Sequence, residues 1–113
     1  RRRGPRRSAV GAALGALDFW TTRRDVGNEF VVLEAIGINL AELRRLEPAA
    51  VILGNVQSGR RTASSSRSRR EAAVGEIARH RRGNAWMSMG AAMSRDEVLA
   101  FARSASLDAL DTL

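Results

Sequence analysis

Residues 39–55, NLAELRRLEPAAVILGN, decide the fold. Apolar side chains recur at helical spacing as far as Leu46, then Glu47 and Pro48 intervene, then an almost unbroken apolar run begins. Proline has no backbone N–H and disfavours helix at the residue before it, yet it is tolerated in the first turn of a new helix. The stretch therefore predicts one helix that stops near Leu46 and a second that begins with AAVILGNV. A joint this short folds the two back on each other as a hairpin.

Working outward, residues 28–46 place Val32, Leu33, Ile36, Leu40 and Leu43 within a sector of about 100°, with Glu34, Arg44 and Arg45 opposite. Val31, Ala35 and Ile38 form a weaker second apolar line, as in a helix touched on two sides. Over 8–20, Val10, Leu14, Leu17 and the pair Phe19 and Trp20 keep helical spacing, and Asp25, Gly27 and Asn28 mark the turn that follows. A strand over EFVVL is the weaker alternative. Beyond residues 55–59, GRRTASSSRSRR is low in complexity and predicts a flexible loop.

Helical spacing resumes over 71–82 with Ala73, Val74, Ile77 and Ala78, and Gly83-Asn84 predicts a stop and a new cap. A short helix over 85–93 carries Trp86, Met87 and Met89. Ser94-Arg-Asp-Glu97 fits a capping box, in which Ser94 accepts from the Glu97 amide and the Glu97 carboxylate reaches back to the Ser94 amide. Val98, Leu99, Phe101, Ala102, Ala105, Ala109 and Leu110 then form one face of a last helix. The fold class is all-α, with about six helices in antiparallel pairs. The expected organisation is a basic tail at 1–7, a three-helix repeat segment at 8–58, a Ser/Arg-rich flexible loop at 59–70, and a C-terminal segment with a cap helix at 71–113.

Composition excludes several chemistries. All 19 basic residues are arginine, and the chain has no lysine, cysteine or tyrosine. Without lysine there is no P-loop and no Schiff-base amine; without cysteine there is no disulfide, thiolate nucleophile or cysteine zinc site. Arginine has GC-rich codons and lysine AT-rich ones, so the bias is read as genome composition. The net charge of +7 favours a polyanionic partner in principle. However, five arginines fall in residues 1–7 and eight between Arg60 and Arg82, where no Phe, Trp or Tyr is interleaved for stacking. A chain of 113 residues buries roughly two thirds of its unfolded surface, enough for a modest core. It begins at Arg1 without a signal-like apolar region, which reads as a piece of a longer cytoplasmic polypeptide. Its longest apolar stretch is broken by Glu34, Asn39 and Glu42, short of the roughly 18 residues that cross a bilayer.

ALDFW followed by FVVLEAIGINLAELRRLEPAAVILGN, and WMSMGAAMSRDEVLAFARSASLDAL, resemble the C-terminal helical-repeat region of large multidomain bacterial regulators. In those proteins a signal-transduction ATPase, often with an adenylate cyclase-like or LuxR-type DNA-binding domain, adjoins a tetratricopeptide-like array. The chain departs from the pattern in two places: the Leu-Gly-x joint is replaced by Leu46-Glu47-Pro48, and residues 21–36 lack the pattern's tryptophan. The resemblance implies right-handed stacking of helix pairs and a docking role in signalling or transcription, towards modules of the same protein, a protein partner or a second copy. It implies neither a catalytic centre nor a cofactor.

The candidate interaction groove comprises Trp20, Leu33, Ile36, Leu40, Trp86 and Phe101, with core packing as the plain alternative. Arg60, Arg61, Arg67, Arg69 and Arg70 are the candidate polyanion contacts, and they carry the competing expectation of an Arg-rich nucleic-acid binder. His80 stands alone, without a second histidine or a cysteine to complete a metal site. Asp18, Glu29, Glu34 and Glu42 are expected in surface ion pairs, Glu34 with Arg45, rather than in acid–base catalysis.

Overall fold

The computed structural model describes residues 3–59 and 67–112. Among the described residues the chain forms six helices and no strand: α1 (Arg3–Thr22), α2 (Val26–Glu42), α3 (Leu46–Ser58), α4 (Arg67–Arg79), α5 (Gly83–Ala91) and α6 (Arg95–Thr112). The expected all-α class is what the chain adopts.

α3 is the axis of the molecule. Every residue from Ala49 to Val56 is buried, as a helix that is apolar all round must be. α5 covers one side of it and α2 another. α2 and α3 run antiparallel, for Gly37 faces Leu53 while Phe30, one end of α2, reaches Gly59 just beyond the far end of α3. α3 and α5 also run antiparallel, with Gly54 against Met87 and Val51 against Gly90.

The joint in the opening stretch falls earlier than proline predicts. α2 ends at Glu42 and α3 begins at Leu46, so Glu47 and Pro48 lie inside the first turn of α3, where a helix needs no N–H from residue 48. What stops α2 is Arg44, held at φ 67°. The Arg45 amide donates to Leu40 O and the Arg44 amide to Ala41 O, each at 2.9 Å, which is the paired-bond Schellman ending. α1 ends identically: Arg24 has φ 54°, and the Asp25 and Arg24 amides donate to Trp20 O and Thr21 O at 3.1 Å. Asp25 then caps α2, its carboxylate accepting from the Asn28 amide at 3.1 Å.

Two further boundaries differ from the sequence reading. α1 starts at Arg3, so most of the expected basic tail is helical, with Pro5 in the permissive first turn. α4 starts at Arg67, so residues 67–70 belong to a helix and not to the Ser/Arg loop; residues 60–66 of that loop lie outside the described residues, as do residues 1–2 of the tail.

α6 returns along α1, contacting α2 and α3 as well. In an open solenoid each repeat touches only its neighbours, so a contact between first and last helices closes the bundle. The radius of gyration, 12.7 Å, agrees with closure, being no larger than the roughly 13 Å of a compact domain of this length.

Candidate functional site

Two carboxylates of α2 are buried in the core. Glu29 is 2% exposed and Glu34 only 1%. Each has an arginine from the C-terminal half of the chain. Arg95, at the start of α6, grips Glu29 with two bonds, Nε to Oε1 at 2.8 Å and Nη2 to Oε2 at 2.6 Å. These bonds raise the Arg95 guanidinium above its ordinary pKa. Arg70 of α4 donates to Glu34 at 2.9 Å. Glu34 was expected on the surface beside Arg45; it is buried and paired with Arg70, because α4 covers the face of α2 that the helical pattern leaves polar. Arg45 instead reaches Asp108 at 3.5 Å.

The candidate polyanion contacts among the described residues are therefore paired with carboxylates of the same chain. Arg69 binds both Glu42 oxygens, at 3.0 and 2.8 Å, and Asn39 Oδ1 at 3.2 Å. Arg67 pairs with Glu71 one turn on, both exposed. Arg60 and Arg61 lie outside the described residues. Asp18 pairs with Arg103, tying α1 to α6, and Arg44 pairs with Glu76 of α4.

The six groove candidates do not line one groove. Leu33, Ile36, Leu40 and Trp86 are buried in the core, and Trp20 and Phe101 are half-buried against it. Their periodicity records core packing on helices covered from two sides. Trp20 also meets Phe19 edge-on, with ring centroids 4.7 Å apart.

A surface depression lies elsewhere, over the seam of α3 and α5. It measures about 320 Å³ and is lined by Gly54, Gln57, Ser58, Met87, Ser88 and Ala91. Its floor exists because the two helix backbones nearly touch: a Cβ at Gly54 would sit 2.2 Å from Met87 O, and one at Gly90 1.7 Å from Val51 O. Asn55 locks the seam. Its amide donates to Gly90 O and Met93 O, both at 3.0 Å, serving the Met93 carbonyl just past the end of α5 and adding a second bond to Gly90 O, which also accepts from the Met93 amide. Sequence reading missed this seam, although two glycines inside apolar helical runs are a signal of close backbone approach.

The capping box at Ser94 and Glu97 is present. The Ser94 amide donates to Glu97 at 2.8 Å and the Glu97 amide to Ser94 Oγ at 3.1 Å. The lone histidine has a structural neighbour that spacing does not reveal: the His80 ring packs on Trp86, centroids 4.5 Å apart and planes tilted by 37°.

No protein-family model, curated protein or solved structure matches this chain. Among the described residues no three His, Cys, Asp or Glu side chains gather as a metal-ligand set, and no helix is long and apolar enough to cross a membrane.

Proposed function

We propose that the chain is a non-catalytic helical interaction module, working in the cytoplasm as the C-terminal region of a larger bacterial signalling or transcription regulator. The observation that carries this reading is the use made of its carboxylates. Asp18, Glu29, Glu34, Glu42 and Glu76 each hold an arginine of another helix or joint, and Glu97 holds a helix cap. Acid–base catalysis needs a carboxyl free to reach substrate, whereas these groups hold helices together. The resemblance of ALDFW and of the 86–110 stretch to regulator C-termini supports the same reading.

Docking on the α3–α5 seam is the mechanism that fits best. Its depression is floored by glycine and rimmed by Met87, an adaptable side chain suited to apolar contact. Calorimetric titration of the whole chain with the polypeptide encoded directly upstream of Arg1 tests this. Micromolar association is expected, weakened in Ser88→Arg with unchanged circular dichroism. No heat at high micromolar concentration, or binding indifferent to Ser88→Arg, overturns it.

A further inference from the structure

From α2 onward the described arginines divide into two groups. Both arginines of α6, both in the α2–α3 joint, and all those in the first turn of α4 have carboxylate partners. Arg79, Arg81 and Arg82, at the corner where α4 gives way to α5, are exposed and form no ion pair among the described residues. Within four residues of chain they place three uncompensated guanidinium groups around His80.

His80 is exposed and fixed. Its Nδ1 accepts from the Arg82 amide at 3.1 Å, so in the neutral ring the proton sits on Nε2, a donor. One face of the ring rests on Trp86, which is buried and cannot itself be reached. Arg82 extends towards the same indole, its guanidinium carbon 5.8 Å from the ring centre. The objection raised by the sequence, that the arginine-rich segment lacks an aromatic platform, is thus met in three dimensions: Trp86 backs a ring whose residue is exposed, amid free arginines.

We propose that the α4–α5 corner is a contact surface for single-stranded nucleic acid. Arg79, Arg81 and Arg82 hold backbone phosphates and one base stacks on His80. Three charge-assisted contacts and one stacked base describe a short strand better than a duplex, whose bases have no free faces. This surface is separate from the α3–α5 depression, so either reading can fail without the other.

Fluorescence anisotropy with a labelled mixed-sequence strand of about 12 nucleotides, within the usual span of such sites, tests the proposal on the whole chain. Neutralising three phosphates on a single strand gives a slope near −2 in log affinity against log salt. The triple variant Arg79→Ala, Arg81→Ala, Arg82→Ala is expected to lose at least tenfold in affinity and most of that slope. The charge-matched triple variant Arg1→Ala, Arg2→Ala, Arg3→Ala should lose much less; equal losses mean diffuse charge attraction and overturn the site. His80→Ala should weaken the strand by about tenfold, as loss of a stacked base does. His80→Phe should restore it. If a polyglutamate peptide of matched charge binds as tightly and neither His80 variant matters, the surface takes an acidic peptide and the nucleic-acid assignment is wrong.

Discussion

Gly90→Ala is the most demanding test of the α3–α5 seam. The added methyl carbon would lie 1.7 Å from Val51 O and 2.6 Å from its carbonyl carbon. An ordinary carbon–oxygen contact needs about 3.3 Å, so the helices must part by roughly 1.5 Å. A gap of 0.5–1 Å already forfeits about a quarter to a half of the dispersion energy across an interface. The shift also stretches both Asn55 bonds, now 3.0 Å, and leaves the buried Asn55 amide and the Met93 carbonyl without these partners, while Gly90 O keeps only the Met93 amide. Overpacking costs about 1–3 kcal/mol and the unsatisfied group about as much again, giving on the order of 3–5 kcal/mol.

Against a total stability of about 5–15 kcal/mol, that loss lowers the thermal midpoint by roughly 10–20 °C. Gly75→Ala supplies the comparison, since a Cβ there meets nothing within 4 Å. It should stabilise by about 0.5–1 kcal/mol through helix propensity alone. Thermal and urea unfolding followed by far-ultraviolet circular dichroism would separate the two. A Gly90→Ala protein within about 0.5 kcal/mol of the parent would show that α3 and α5 do not meet in this register.

Removing Arg95 should harm the fold more than removing its partner's charge. Arg95→Ala strands a carboxylate that is 2% exposed, at a cost of about 3–5 kcal/mol, whereas in Glu29→Gln the half-exposed arginine turns to water and the loss is nearer 1–2 kcal/mol; urea unfolding of the two variants should give that order. Glycine at either left-handed arginine should stabilise: Arg24→Gly and Arg44→Gly each remove about 1 kcal/mol of backbone strain, and the exposed Arg44–Glu76 pair offsets little of it. Asp25 provides a pH signature. Bonds from the Asn28 amide and side chain hold its carboxyl below the usual carboxylate range. Its folded pKa is thus below the unfolded value of about 3.9, so its contribution is complete above that pH and lost as pH falls through the folded value. The gap in unfolding midpoint between the parent and Asp25→Ala should close on acidification, and only below the usual carboxylate range.

The helices were legible because their stripes are regular. Val10, Leu14 and Leu17 are buried as their spacing requires, as are Val98, Leu99, Ala102 and Ala109, and Ser94 and Glu97 bond as their spacing requires. The helix ends were not, for a physical reason. Both left-handed stops use arginine, where glycine or asparagine is the usual marker, so proline drew the joint towards itself although it sits harmlessly inside α3. The groove failed on sidedness. A single helix pattern cannot tell a surface stripe from one covered by a third helix, and α2 is covered by α1, α3, α4 and α6. The same ambiguity hid Glu34, polar by pattern and buried by α4. His80 on Trp86 is a contact across the α4–α5 turn, and no period along either helix announces it.

The two buried carboxylates do something that apolar burial cannot. α3 is apolar nearly all round and α2 is covered from several sides, and hydrophobic attraction is indifferent to which helix covers which face. A docking of α4 or α6 that missed Glu34 or Glu29 would bury an unpaired charge at several kcal/mol, more than a few misplaced methyl groups would recover. Arg95 is aimed by its neighbour, for the capping box at Ser94 fixes where α6 starts, and the next residue meets Glu29. Arg70 and Arg69, adjacent in α4, reach Glu34 and Glu42, eight positions apart on α2, which sets the angle at which α4 crosses it. Register in this bundle is thus written in arginine–carboxylate pairs, and the chain's all-arginine base content supplies the planar, two-pronged cation that such pairs require.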